Sequence, residues 1–400
     1  MKASKMIQIN KPTPMLGGLT PSEFMEQYWQ KKPLLIKAAF KDFKPVLSRA
    51  QLFELAGSNE VHSRLIERGA NTDSEESWRV KHGPIKPKER PAFSKEGWTL
   101  LVQGVDLVSA QAARLLREFR FIPDARLDDL MISYATDQGG VGPHFDSYDV
   151  FLLQASGQRR WRIGRQKDLS LRSDVELKIL DHFAPQKEYV LEPGDMLYLP
   201  PKYAHDGVAI GECMTYSIGF RAPSAQGLAG ELLARLADEV EDLVKPALYT
   251  DPLQNAVKQP AQIPDQLRHF AMSALASAID KPGVFSRLLG EILSEPKDHV
   301  WFQCTRREAP KRRAGKHPFP AGIRLDDQTK MLFDDRFIFI NGEAWQASSR
   351  DKTLMRLLAN ERQLTPEQLS QSSLDAVDLL DNWIDVGWVH EMHPNVINKH

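Results

Sequence analysis

Gly139 to Asp146 read GGVGPHFD, and Gly194 to His205 read GDMLYLPPKYAH. In the first stretch His144 and Asp146 stand two apart. Residues at i and i+2 of an extended segment face the same side, so an imidazole and a carboxylate can converge on one point. The second stretch supplies a further imidazole, His205, just after a Gly-Asp and a Pro-Pro turn. An H-x-D triplet by itself arises by chance. Here it follows glycines that let the chain turn sharply, and strand-like runs flank it on both sides.

Those runs extend from Leu130 to Phe220. LMISYAT, DVFLLQA, RRWRIG, EYVLEPGDMLYLP, DGVAIG and MTYSIGF are short, rich in β-branched and aromatic residues, and separated by turn residues. Such spacing predicts antiparallel strands in a sandwich or barrel. Two His and one carboxylate on one face of an octahedron leave three positions open, the arrangement of non-haem Fe(II) oxygenases. His144, Asp146 and His205 are therefore the candidate metal ligands, and no further catalytic residue is expected.

Upstream, TPSEFMEQYWQKKPLLIK from Thr20 predicts a capped helix with Pro21 in its first turn, ending before Pro33, and then a strand over Leu34 to Lys37. Downstream of Pro223, Leu228, Leu232, Leu236, Val240 and Leu243 recur at helical spacing. QLRHFAMSALASAI and FSRLLGEIL add two amphipathic stretches before Pro296. A basic, Pro-rich stretch, RREAPKRRAGKHPFP, then reads as a linker. Beyond it FIFI, an Asn341-Gly342 turn and helices around Leu354, after Thr365-Pro366 and from Leu374 to Ile384 suggest a winged-helix-like domain. The expected boundaries are 1–222, 223–300 and 301–400.

Composition excludes several classes. Over 400 residues, 52 basic and 53 acidic side chains give a net charge of −1, so no global field drives the chain onto nucleic acid or anionic lipid. The last predicted helix, SLDAVDLLDNWID, carries no Arg or Lys and is unsuited to DNA phosphates. Cys213 and Cys304 lie in no metal-ligand spacing, so neither a disulfide framework nor a zinc knuckle is expected. The N-terminus lacks an apolar core of signal-peptide length and no segment has the apolar length of a membrane span, so a cytoplasmic protein is expected. His390 and His393 have no carboxylate or Cys at ligand spacing.

DDLMISYAT, GGVGPHFDSYDVFLLQASGQRRWRIG, LEPGDMLYLPPKYAHDG and MTYSIGFRAP resemble the JmjC-type cupin oxygenases, and within them the bacterial ribosomal oxygenases. The resemblance implies a double-stranded β-helix, or jelly roll, followed by a helical dimerisation domain and a winged-helix-like domain, in an α+β class. It implies Fe(II) as cofactor, with 2-oxoglutarate and dioxygen as cosubstrates. Arg159 matches the basic residue that pairs with the distal carboxylate of 2-oxoglutarate, a task suited to the guanidinium fork. Alternation puts Arg159 and Trp161 on one face and Arg160 and Arg162 on the other. Ser133 and Ser217 match polar positions that support the cosubstrate. Tyr148 and Asp149 are candidates for substrate contact, Tyr148 sharing a face with the ligands if the strand continues unbroken and Asp149 at the rim or in solvent. Tyr134 and Tyr216 are further candidates for the channel, against the alternative that they are core. Lys202 departs from the general cupin pattern, where many members have Gly.

The branch resembled most hydroxylates an arginine side-chain carbon on the sixteenth large-subunit ribosomal protein, as a homodimer. Alternatives are histidine hydroxylation of another ribosomal protein, N-methyl-lysine demethylation, or a non-catalytic cupin-like binding module.

Overall fold

The computed structural model describes residues 8–69, 78–304, 319–347 and 349–392. The basic stretch from Arg306 to Lys316 and His393 lie outside the described residues. Contacts divide the chain into two compact units, one of residues 5–222 with 299–301, the other of residues 1–4, 223–298 and 302–400.

The first unit is built on nine strands: β1 Leu34–Ile36, β2 Ser63–Arg68, β3 Trp78–His82, β4 Trp98–Val102, β5 Leu127–Ala135, β6 Val150–Gly164, β7 Lys187–Leu191, β8 Met196–Leu199 and β9 Ala204–Phe220. They run in the order β1-β8-β6-β9-β5-β4-β2-β3, with β7 also on β6, and every pairing is antiparallel. The runs DVFLLQA and RRWRIG, expected as two strands, form the single 15-residue β6. DGVAIG and MTYSIGF likewise merge into the 17-residue β9. The cause is local. Gly157 and Gly211 both have positive φ, 62° and 67°, and the β6–β9 register shifts between Gln154 and Gln158. A glycine at such a bulge bends the strand without ending it. A Cβ on Gly157 would stand 2.1 Å from the carbonyl oxygen of Glu212, so no other residue fits there.

At the bends β6 exchanges one neighbour and β9 gains a second, β5. The first part of β6 pairs β8 and the last part pairs β7, while β9 stays alongside throughout. This folds the strands into the jelly roll. The two faces carry separate cores. Phe151, Leu153 and Ala155 of β6, Leu130, Ile132 and Tyr134 of β5 and Met214, Tyr216 and Ile218 of β9 pack with residues of the N-terminal helices. Val150, Leu152, Trp161, Ile163, Leu191, Leu197 and Leu199 fill the opposite face. Tyr134 and Tyr216 thus belong to the outer core and not to a channel. Both are fully buried, and the Tyr216 hydroxyl accepts from the Val46 amide at 3.0 Å.

The Thr20 capping box forms with Glu23, but helix α1 covers only Pro21–Gln27. Gln30 takes a positive φ of 57° well before Pro33. Helices α2 Arg49–Ala56, α3 Val105–Val108 and α4 Ala110–Arg117 complete this unit.

In the second unit, α5 Ala225–Asp238, α6 Val240–Leu243, α7 Asp265–Ile279 and α8 Val284–Ser294 precede the strand β10 Ile323–Leu325 and the meander β11 Met331–Phe333, β12 Ile338–Ile340 and β13 Glu343–Trp345. Then come α9 Ser349–Glu361, β14 Gln363–Leu364, α10 Pro366–Leu369, α11 Leu374–Asp385 and β15 Val389–Glu391. Asn341-Gly342 links β12 to β13 as a two-residue hairpin turn. Thr365 caps α10 with a capping box to Gln368. Phe319, Leu358, Leu380 and Trp383 are among the fully buried residues of this unit's core. His390 Nε2 lies 2.6 Å from the Asp326 carboxylate, a hydrogen bond that ties β15 to the residue after β10.

Inside the barrel, Gly207 lies opposite Trp161, and a Cβ there would stand 2.6 Å from the indole ring. Gly207→Ala must displace a buried tryptophan, and we expect a loss of about 1–3 kcal/mol of stability. Urea unfolding of wild type and variant checks this; equal midpoints and slopes would show that the ring moves aside freely.

Candidate active site

His144 sits on no regular strand. It forms a single antiparallel bridge with His205, the second residue of β9, through reciprocal amide–carbonyl bonds of 2.9 and 2.8 Å. That bridge brings the imidazoles together with ring centroids 4.2 Å apart. Asp146 follows two residues on, and its carboxylate is 3.7 Å from His205 Nε2. Ligand atoms of His144, Asp146 and His205 all lie within 4.8 Å of one another, the one such His/Cys/Asp/Glu cluster among the described residues.

Hydrogen bonding orients both rings. His144 Nδ1 lies 2.9 Å from the Gly142 carbonyl and His205 Nδ1 lies 2.9 Å from the Tyr203 carbonyl. A carbonyl can only accept, so each Nδ1 carries the proton and each Nε2 keeps a lone pair for a metal. Burial, and next the neighbouring His144, push the His205 pKa down to about 4, against the opposing pull of Asp146. The ring is therefore neutral at physiological pH, the form a metal requires. The Lys202 backbone ties down the segment that carries Asp146. Its amide donates to the Asp146 carbonyl at 2.7 Å while its backbone adopts a left-handed φ of 61°. A glycine at that position would be free of the strain that Lys202 carries.

Arg159 and Trp161 are both buried on the inward face of β6, 4% and 5% exposed. The Arg159 guanidinium lies 5.8 Å from the Trp161 ring centroid, and its Nε and Nη2 have no partner among the described residues. A buried cation with unsatisfied donors is costly unless an anion completes it. A carboxylate fits this fork bidentately. Arg160 and Arg162 are half-buried, and Arg162 pairs with Asp206 at 2.5 Å.

Ser133 is buried on β5, with its hydroxyl donating to the Thr215 carbonyl at 3.2 Å. By alternation it shares the interior face with Asp129 and Met131, while Thr215 and Ser217 of β9 line the same face. Ser217 is half-buried.

Two expectations about the segment after Asp146 need correction. No strand continues there; the chain bends at Ser147 and Tyr148 and β6 begins only at Val150. Tyr148 nevertheless comes back to the ligand set. Its residue surface is 39% exposed, but its phenol is held well above the usual range by desolvation, and next by the Asp146, Asp129 and Asp128 carboxylates. Asp149 is neither at a rim nor in solvent. It is fully buried, and its carboxylate accepts from Tyr198 Oη at 2.6 Å and Gln30 Nε2 at 3.0 Å. The bend turns it inward, away from the side on which Tyr148 is exposed. Sequence reasoning passed over Asp128 and Asp129, whose only signal was an adjacent acidic pair at the start of a strand.

The JmjC-domain family matches residues 114–228, and a ROXA-like winged-helix family matches residues 264–390. Fold and site together are those of a JmjC oxygenase carrying a winged-helix domain. The chain is 36% identical to the ribosomal protein uL16 3-hydroxylase of Escherichia coli over 280 residues, 70% of this chain and 72% of that protein. It superposes on the X-ray structure of E. coli YcfD with a TM-score of 0.83 at 30% identity, covering 93% of this chain and 98% of that one. A structure of YcfD, described as a ribosomal oxygenase, in complex with cobalt and 2-oxoglutarate gives a TM-score of 0.76 at 30% identity over the same shares. The chain belongs to the JmjC-domain ribosomal oxygenases, enzymes that use Fe(II) and 2-oxoglutarate.

Replacing Asp146 or His144 by Ala should abolish binding of Co(II), used as a spectroscopic substitute for Fe(II), because one of three protein ligands is lost. Arg159→Ala should keep cobalt binding but weaken 2-oxoglutarate by roughly 3 kcal/mol, on the order of 100-fold. Cobalt absorption and 2-oxoglutarate titration separate the two; cobalt binding by Asp146→Ala would remove Asp146 from the ligand set.

Proposed function

We propose that this enzyme hydroxylates a carbon of an arginine side chain on the ribosomal protein uL16, the sixteenth of the large subunit. The observation that carries the arginine assignment is the acidic surround of Tyr148, where Asp146, Asp129 and Asp128 act on a partly exposed aromatic ring. A guanidinium is planar and cationic, so it both pairs with carboxylates and stacks on an aromatic face. The naming of the E. coli relative as a uL16 3-hydroxylase supports the same substrate.

In this reading His144, Asp146 and His205 hold the iron through two imidazole Nε2 atoms and one carboxylate. Arg159 takes the distal carboxylate of 2-oxoglutarate, and Ser133 and Ser217 support the cosubstrate from the interior face. Bound iron with 2-oxoglutarate and dioxygen supplies an oxidant that replaces C–H by C–OH. The chain's own task is orientation and exclusion of water. The buried Trp161 packs 5.8 Å from the His205 ring and walls the site, while Tyr148 with Asp129 aims the substrate cation so that one carbon faces the metal. No side chain needs to act as a general base.

Residues 1–222 are the catalytic domain, 223–300 a dimerisation domain and 301–400 the winged-helix-like domain in this proposal, and the setting is the cytoplasm, where a ribosomal protein is met. The described helices include none long and apolar enough to cross a membrane. A homodimer is supported by α7, a 15-residue helix with a single buried residue, Ala278. Leu267, Phe270, Met272, Leu275 and Ile279 on it are all exposed, Met272 at 65% and Leu275 at 57%. An apolar helix left uncovered needs a partner surface, and in homo-oligomers the partner is a second copy.

Enzyme, Fe(II), 2-oxoglutarate and a peptide carrying the target arginine should give a mass gain of one oxygen, with copies bearing Lys or His at that position unmodified. A gain confined to the histidine peptide would overturn the arginine assignment. For the dimer, light scattering should give twice the chain mass for wild type and one chain mass for Met272→Glu combined with Leu275→Glu. A wild-type monomer at micromolar concentration would remove the dimer from this reading.

A further inference from the structure

Between the His144–His205 bridge and Val150 the chain crosses five residues without a β-ladder. Asp146 and Tyr148 both hang on this crossing. On the metal side its backbone is tied by the Lys202 amide to the Asp146 carbonyl, 2.7 Å. At the far end it is tied by Asp149. The Asp149 carbonyl accepts from the Phe220 amide at 3.2 Å, and its fully buried carboxylate accepts from Tyr198 Oη at 2.6 Å, from Gln30 Nε2 at 3.0 Å and from Arg126 Nη2 at 3.4 Å.

Each of these donors is itself fixed. Tyr198 Oη accepts from the Gln30 amide at 2.7 Å, and the Trp29 ring stacks on the Tyr198 ring at 5.9 Å. The left-handed backbone of Gln30 turns both its amide and its side chain into the group. Arg126 exchanges bonds with Arg221, Nε to the carbonyl at 2.5 Å and carbonyl from the amide at 2.6 Å, and lies over the Trp29 ring. The group therefore gathers the N-terminal segment, the start of β5, β8 and the end of β9 around one carboxylate. Burying that carboxylate costs more than an apolar side chain of the same size. What it gives in return is a position held from four directions.

We infer that Asp149 is a positioning residue: clamped by Tyr198, Gln30 and Arg126, it sets the crossing that carries Asp146 and Tyr148, and so aligns the metal ligand with the substrate. The inference rests on the reading of Asp146 as ligand and Tyr148 as substrate contact. Because Arg159 lies on the far part of β6, binding of 2-oxoglutarate should be independent of the clamp.

The test uses the full chain with Asp149→Asn, in which an amide N–H would face the Gln30 and Arg126 donors. Tyr198→Phe and Gln30→Ala each remove a single donor and serve if Asp149→Asn fails to fold. Co(II) titration followed by its visible band, and the ratio of succinate formed to peptide hydroxylated, are intensive properties that partial unfolding does not alter. We expect cobalt affinity to fall about tenfold, as for other outer partners of metal ligands. The succinate-to-product ratio should rise severalfold and the Michaelis constant for 2-oxoglutarate should stay within about twofold. A change in the cobalt band or in the ratio, in a variant that melts as a folded protein, supports the clamp. An unchanged band and ratio, with activity lost only in proportion to unfolded protein, overturns it. If the wild type binds cobalt but leaves the arginine peptide unmodified, the substrate reading fails and the cobalt titration still decides the role of Asp149.

Discussion

The pairing of β6 with β9 is the constraint on which the catalytic unit depends. Both strands bend where Gly157 and Gly211 take left-handed φ; β6 passes from β8 to β7, while β9 stays on β6 and gains β5. Without the bend, the sheet would be open and the interior face of β6 would look into solvent. With it, Arg159 on β6 and His205 at the start of β9 enter one enclosed space, opposite the interior face of β5. At Gly157 a side chain would collide with the facing Glu212 carbonyl, and at Gly211 the left-handed φ itself favours glycine.

The metal site is added to this frame with little further machinery. One backbone bridge joins His144 to His205, two carbonyls fix the ring tautomers, and the Lys202 amide holds Asp146. These are main-chain contacts, so they do not depend on the side chains of Gly142, Tyr203 or Lys202. The polar interior is otherwise sparse. Arg159 stands out because, among the described residues, a guanidinium so deeply placed lacks partners for two of its nitrogens, an arrangement that a bound anion would complete.

The segment after Asp146 places adjacent residues in opposite environments. Tyr148 keeps an exposed ring beside three carboxylates, while Asp149, its neighbour, is withdrawn completely into protein. Had the strand continued, alternation would still have put the two on opposite faces, but with Asp149 toward solvent or the rim. The bend instead drives Asp149 under the N-terminal segment, and the Gln30 backbone is strained to meet it. The second unit uses a different economy: its winged-helix portion has a compact core around Trp383 and Leu380, whereas α7 leaves its apolar side chains uncovered.

Several features were legible in the chain by itself because they depend on nearest neighbours. The Thr20 and Thr365 capping boxes, the Asn341-Gly342 hairpin, the helical stripe over 265–279 and the shared face of Arg159 and Trp161 all follow from local periodicity and hydrogen bonding. The spacing of His144 and Asp146, with His205 after its turn, was likewise readable, since a metal needs few ligand types in few arrangements. What only the tertiary structure decided depended on residues distant in sequence. Gly157 falls between two strand-like runs and Gly211 ends another, and only their apposition across the β6–β9 pair makes them bulges within continuous strands. Tyr134 and Tyr216 became core, and Asp149 became a buried anchor, through contacts with residues 14 to 56 that no local pattern specifies. Asp128 and Asp129 gained meaning only when the bend at Tyr148 brought a phenol to their side, because electrostatic neighbours are set by distance in space.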